Sequence, residues 1–207
     1  QILAPDKNLL CTFVLSMKTA HRYFVIHKPF NMVSQFISSH DVRLLGDLGY
    51  PFPVGTHAIG RLDGNSEGLL LLTTNKKVTR LLFSAEEKHS RTYLVQVNNR
   101  LSEENLLRLQ TGVSIRIKGG ELYTTPACDV RLADNPALIA HFENKDVYKS
   151  GNSTWLLITL TEGKFRQVRK MIAAVRHKCL RLIRVSIENI SLDDLQPGEV
   201  LEMKEDD

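Results

Sequence analysis

Cysteine is scarce in this chain: its 207 residues hold only Cys11, Cys128 and Cys179, widely spaced and with no C-x-x-C pair. An odd, scattered set excludes a disulfide framework and the common thiolate zinc sites, and it suits a reducing cytoplasm. Long apolar runs are also missing. Residues 9–15 are apolar but far short of the roughly 20 that a membrane helix requires. Lys7 precedes that run as it would a weak signal-peptide core, yet no small-residue cleavage site follows. A large charge imbalance is absent as well, with 27 Lys+Arg against 23 Asp+Glu, so net charge alone names no partner. Internal repeats and low-complexity stretches are lacking too. Acid, however, is missing from one place in particular. Residues 164–184 contain eight Lys/Arg and no Asp or Glu, whereas residues 191–207 carry seven acids and one Lys. Basic charge focused in this way suits a surface that meets phosphate, and the plain alternative is a solvated cationic helix face.

What is present reads as intermingled strands and helices. Residues 23–27 form a strand stopped by Pro29, and Gly46, Gly49, Pro51 and Pro53 mark turns in the stretch after it. A glycine-rich polar loop at 60–68 leads into four leucines at 69–72, a strand buried on both faces. Asn75 caps a helix on which Val78, Leu81 and Leu82 recur. Residues 91–97 are a strand with Tyr93, Val95 and Val97 on one face. Ser102 caps the next helix, Leu101 and Leu106 staple it, and Gly112 closes it. Residues 113–150 hold short strands and a turn near Asn135-Pro136, and 154–161 are a strong strand. Val168, Met171, Ile172 and Val175 then repeat at helical spacing, and 180–187 make a last long strand. The mixture lacks the regular rhythm of a parallel βαβ sheet, so the expected class is α+β.

Three segments carry residue types suited to chemistry. Asp63 sits in the 60–68 loop, where glycines let a ligand approach, and Arg61 two positions earlier can pair with a carboxylate or a phosphate. By itself this signal is weak, since an ordinary surface Asp looks the same. Tyr93 is either a core tyrosine or a ring that stacks on a nucleobase, a contact worth about 1–3 kcal/mol. In the third segment, 162–171, the buried helical positions leave Arg166, Arg169, Lys170 and Arg176 on the opposite arc over about two and a half turns. Lys164 and Arg166 stand at the helix N-terminus, an unfavourable place for cations unless an anion joins them.

Together these segments resemble the rRNA pseudouridine synthases of the RsuA-like group. That family carries an early K-P, then G-R-L-D-x-x-[ST]-x-G-L-L, a [KR]-x-Y strand, E-G-[RK]-x-R-Q-[VI]-R-[RK]-M and L-x-R. Here these stand as Lys28-Pro29, residues 60–70, Arg91-Thr92-Tyr93, residues 162–171 and Leu182-Ile183-Arg184, in order over about residues 20–203. Gln35-Phe36, Ser153-Thr154-Trp155-Leu156, residues 180–184 and Ser191-Leu192-Asp193 resemble the E-type members of the family, which act on large-subunit RNA. Departures are Arg91 where Lys is common, Asn31-Met32 where Gly-Val is common, and Val175-Arg176-His177-Lys178 in place of a glycine-containing turn.

The resemblance implies a pseudouridine synthase fold: a bent, mixed, mostly antiparallel sheet in two halves with flanking helices and a central RNA cleft. Residues 1–17 would lie outside it as an extension, and 18–207 would form the catalytic domain without an S4-like RNA-binding domain. The implied reaction isomerises a uridine of ribosomal RNA, 23S for the E type, after the base is flipped from its stack. Asp63 would attack C1′ or C6, Tyr93 would stack on the base and take the C5 proton, and Arg169 would pair with Asp63. Leu182 would wall the uracil pocket. Lys28, Arg61, Lys164, Arg166, Lys170, Arg176, Lys178 and Arg181 would bind RNA. No metal or organic cofactor is expected, nor any membrane, and the protein is expected to be a cytoplasmic monomer. Rival expectations are a non-catalytic RNA-binding or ribosome-assembly factor, which has no use for Asp63, and a small-molecule enzyme, which has no use for eight successive cations.

Overall fold

A computed structural model describes residues 21–78, 88–142 and 152–203 of the chain. In order the elements are β1 (Tyr23–Lys28), a 3-10 turn (Leu45–Leu48), β2 (His57–Ile59), β3 (Glu67–Thr73), β4 (Arg91–Asn98) and α1 (Glu103–Thr111). Next come β5 (Ser114–Arg116), β6 (Leu122–Thr124), β7 (Asp129–Leu132), α2 (Pro136–Phe142) and β8 (Ser153–Leu160). The chain continues with α3 (Gln167–Ala174), β9 (Cys179–Ile187), β10 (Ile190–Ser191) and β11 (Val200–Met203).

The main sheet has the order β11-β1-β3-β9-β4-β8-β7, with β2 added to β3 and β10 to β9, while β5 and β6 pair apart from it. Among the named strands every pairing is antiparallel except β3 with β9, which run parallel through only Glu67–Ile183 and Gly68–Arg184. This short parallel seam joins two antiparallel halves, one built on β1 and β3 and the other on β9, β4 and β8. The expected mixed, mostly antiparallel α+β sheet is therefore found. Gly68 makes the seam possible. It has φ +100°, and a Cβ there would lie 2.3 Å from the Arg184 carbonyl oxygen, so only glycine lets β3 come this near.

Alternation along the strands divides the core. Val95, Leu156, Ile158 and Leu182 meet Leu109 of α1 and Val168, Met171 and Ile172 of α3. Leu94, Leu157 and Ile183 face the other way, with Leu71 and Phe142. In the first half Phe24, Ile26, Leu70 and Leu72 close over Met32, Leu45 and Leu62. The four leucines expected to be buried on both faces are buried, each contributing on the order of 1.5–3 kcal/mol.

Local expectations hold in several places. The Ser102 hydroxyl accepts the Asn105 N–H at 3.2 Å and caps α1, and Leu101 and Leu106 share one core. Asn75 Oδ1 accepts the Lys77 N–H at 3.1 Å, while Leu81 and Leu82 lie outside the described residues, as do residues 1–17. Other expectations shift. The 60–68 loop ends earlier because β3 already begins at Glu67. Helix α3 stops at Ala174, so Arg176 is not on its face but beyond it, at φ 62°. Asn31 likewise has φ 57°. Both adopt the left-handed backbone that glycine reaches most readily.

Candidate active site

The loop before β3 is pinned on several sides. Leu62 is sunk in the core, and the buried Ser34 hydroxyl bridges its backbone, donating to Leu62 O and accepting from Leu62 N, both at 3.0 Å. The Ser66 N–H closes a turn onto Asp63 O at 3.0 Å. Lys28 Nζ donates to Pro29 O at 2.8 Å, Met32 O at 2.6 Å and Gly64 O at 3.4 Å. From α3, Arg169 Nη2 donates to Asn65 O at 2.6 Å and to the Ser66 hydroxyl at 3.4 Å. Between these anchors the Asp63 carboxylate, half-buried, forms no hydrogen bond or ion pair with the described residues and borders a cleft of about 350 Å³.

The cleft collects residues from both halves of the sheet. Arg61, Asp63 and Ser66 come from the loop before β3, Tyr93 from β4, and Leu182 and Arg184 from β9. Lys164, Phe165 and Arg166 come from the link between β8 and α3. Tyr93 and Arg184 are register partners on neighbouring strands, which sets the Tyr93 side chain beside the Arg184 guanidinium. That guanidinium is buried. Its Nε donates to Leu69 O at 2.8 Å, one Nη has no hydrogen-bond partner among the described residues, and burial lowers its pKa from the usual value.

Several assignments made on the sequence therefore need correction. Arg169 does not pair with Asp63. Its guanidinium approaches from behind the loop and is taken up by backbone oxygens, including Cys179 O at 3.4 Å. Arg181 is not an RNA-facing cation, because it forms a two-pronged pair with Glu67, with Nε–Oε1 at 2.9 Å and Nη2–Oε2 at 2.7 Å. Lys28 is fully buried and so out of reach of RNA. By contrast, Arg61, Lys164, Arg166, Arg176 and Lys178 are exposed and Lys170 is half-exposed, with Arg176 and Lys178 away from the cleft wall.

Burial also sets the chemistry of Lys28. Desolvation lowers its pKa from 10.5 to about 8, against the opposing pull of Glu67 and Asp63. Between about pH 8 and 10.5 the unfolded chain holds this proton and the folded chain does not, so stability due to Lys28 rises with pH across that window. The unfolding free energy of the wild type minus that of Lys28→Met should climb by up to about 1.4 kcal/mol per pH unit there. A flat difference in urea titrations over that range would contradict the assignment.

Sequence reasoning missed Arg184, Glu162, Phe165 and Gln167. All lay inside motifs already noted, but no role had been attached to them. For Arg184 a signal existed: it is two residues from Leu182, and residues at that spacing share a strand face. For Glu162 there was none, because its contact crosses from the β8–α3 link to β6, and Gln167 acts through Glu162. The Tyr123 hydroxyl donates to Glu162 Oε2 at 2.5 Å, and Gln167 Nε2 donates to Glu162 Oε1 at 2.5 Å. The Glu162 contact also raises the Tyr123 pKa.

The described residues include no helix long and apolar enough to cross a membrane, and no group of three or more His, Cys, Asp or Glu that could hold a metal ion. Comparison with known proteins gives a consistent picture. The family model for RNA pseudouridylate synthase matches residues 22–174. The ribosomal large subunit pseudouridine synthase E of Vibrio parahaemolyticus is 36% identical over 186 residues, 88% of this chain and 74% of that protein. The Xanthomonas campestris protein of the same name is 38% identical over 177 residues, 84% of this chain and 91% of its own length. Among solved structures, a crystal structure of pseudouridylate synthase superposes with a TM-score of 0.72 at 25% identity, covering 90% of this chain and 71% of that one. The human RNA pseudouridylate synthase domain containing 1 shares the fold, with a TM-score of 0.57 at 15% identity, covering 88% of this chain and 78% of that one.

Proposed function

The chain belongs to the RNA pseudouridylate synthase family and is a pseudouridine synthase, and from that premise we propose that it isomerises one defined uridine of 23S ribosomal RNA with Asp63 as nucleophile. The observation that supports this most is the shared cleft. A carboxylate with no hydrogen bond or ion pair among the described residues, an aromatic ring and an apolar wall (Asp63, Tyr93 and Leu182) border one cavity rimmed by exposed cations. A uridine inside a stacked duplex cannot reach such a cavity, so its base must be flipped out and received against the Tyr93 ring.

In the proposed sequence Asp63 attacks the flipped nucleotide, at C1′ of the ribose or C6 of the base. The N1–C1′ bond breaks, the uracil turns within the cavity, and a C5–C1′ bond forms, while the bond to Asp63 breaks and returns its carboxylate. Tyr93 takes the C5 proton, and N1 ends protonated, so atoms and charge balance with no external reactant. Arg184, the register partner of Tyr93, places a buried cation beside that side chain for this step. Arg169, Lys28 and Ser34 act by fixing the loop and thereby the direction of Asp63. The rim cations Arg61, Lys164 and Arg166 engage phosphates, with Lys170, Arg176 and Lys178 extending the positive surface. The product leaves as RNA of unchanged composition. A monomer in the cytoplasm, with residues 18–207 as the catalytic domain, completes the proposal.

The test is to incubate the protein with unmodified 23S rRNA, 16S rRNA and tRNA transcripts and to map pseudouridine with a specific chemical adduct. One modified position in 23S rRNA is expected. A single position in 16S rRNA would move the substrate, and no product on any of the three would leave a non-catalytic RNA-binding role.

A further inference from the structure

Among the exposed large apolar side chains of the described residues, Phe165 is the sole aromatic, 65% exposed at the rim of the cleft. Scattered exposed apolar residues need no explanation, but this ring is held in place. The Lys164 N–H donates to Gln167 Oε1 at 2.9 Å, and the Gln167 N–H returns to Lys164 O at 3.1 Å. Gln167 is tied in turn to Glu162, and Glu162 to Tyr123 of β6, so the link is anchored at both ends. Arg166 takes the left-handed conformation, φ 54°, and begins α3 without a side-chain cap. A chain that merely needed to turn into a helix here would favour a glycine or a capping residue. Instead the turn presents a phenyl ring to solvent.

The surroundings of the ring narrow what can cover it. Lys164 and Arg166 flank it in sequence and are exposed, and Lys170 Nζ lies over the ring, 5.3 Å from its centroid. A phenyl ring neither donates nor accepts a hydrogen bond, so it cannot read a base edge or move a proton. It can stack. Cations beside an exposed aromatic suit a ligand with a flat π face and an anionic backbone, which is a nucleotide in an unpaired strand. Tyr93 deeper in the cleft is committed to the flipped uracil, so Phe165 meets a different base.

We propose that Phe165 is a stacking platform for the nucleobase next to the target uridine, holding the strand open while the uridine is in the cleft. This rests on the RNA substrate proposed above. Stacking acts in binding, so the consequence falls on affinity and leaves the chemical step alone.

The experiment measures equilibrium binding to an rRNA fragment carrying the target, and the single-turnover rate at saturating enzyme, for wild type, Phe165→Ala, Phe165→Leu and Phe165→Trp. Ala and Leu should each weaken binding about 5- to 100-fold, Trp should bind as wild type, and the single-turnover rates should agree within about twofold. The slope of affinity against salt should be unchanged, because no phosphate contact is removed. Wild-type affinity in the Ala variant would overturn the inference. So would full recovery by Leu, which keeps apolar area but has no π face. A loss confined to the single-turnover rate would overturn it as well. A wild type that neither binds nor modifies the fragment would remove the RNA reading itself, and this inference with it, whereas an active wild type with an unaffected Ala variant removes only the role of Phe165.

Discussion

Asp63→Asn is expected to reduce pseudouridine formation by about 10⁴-fold or more while the protein still folds and still binds RNA. The amide matches the carboxylate in shape but is not a nucleophile. Little else should change, because the loop is fixed by its neighbours: Leu62 through Ser34, Gly64 through Lys28, and Asn65 through Arg169. The Asp63 side chain itself makes no hydrogen bond or ion pair among the described residues, and its remaining influence is an electrostatic pull on Lys28. RNA affinity should hold or rise, since one negative charge leaves a cleft lined by Arg61, Lys164 and Arg166. The measurement is single-turnover product yield on the mapped rRNA, with a parallel binding titration. Retention of a tenth of the wild-type rate would rule out Asp63 as nucleophile.

Breaking the Glu67–Arg181 pair is expected to give the largest loss of stability, about 3–5 kcal/mol for Glu67→Leu or Arg181→Met alone. Both side chains are only 7% exposed, and Arg181 also donates to Phe142 O. Either single change strands a charge beside the parallel seam where Glu67 lies opposite Ile183. The double variant removes both charges and should recover most of the loss, because the favourable half of a buried ion pair largely offsets its desolvation. Urea unfolding of the four proteins closes the cycle. If Arg181→Met instead kept full stability and flattened the salt dependence of RNA binding, the cation would be a phosphate contact after all.

These two experiments fall on opposite sides of what could be read beforehand. Asp63, Tyr93 and Leu182 were assigned from motifs, and the fold brings all three to one cleft. The strands and helices were legible where periodicity was strong, as in the leucines of β3, the alternating residues of β4 and the Ser102 cap of α1. Charge was not legible residue by residue. Lys28, Arg169 and Arg181 look like the other basic side chains in the chain, yet each ends against partners remote in sequence. Lys28 reaches Gly64, Arg169 reaches Asn65, and Arg181 reaches Glu67, 114 positions away.

The sequence alone thus determined the α+β class, the family and the residue types of the cleft, because these depend on local periodicity and on motifs that are contiguous in the chain. The tertiary structure decided which cations face solvent and which are spent inside. It also decided that Arg184 rather than Arg169 reaches the cleft, and that Phe165 stands exposed at the rim. The reason is physical. A cation's role follows from its burial and its partners, and both are fixed only when β3 closes on β9 and α3 packs behind the loop.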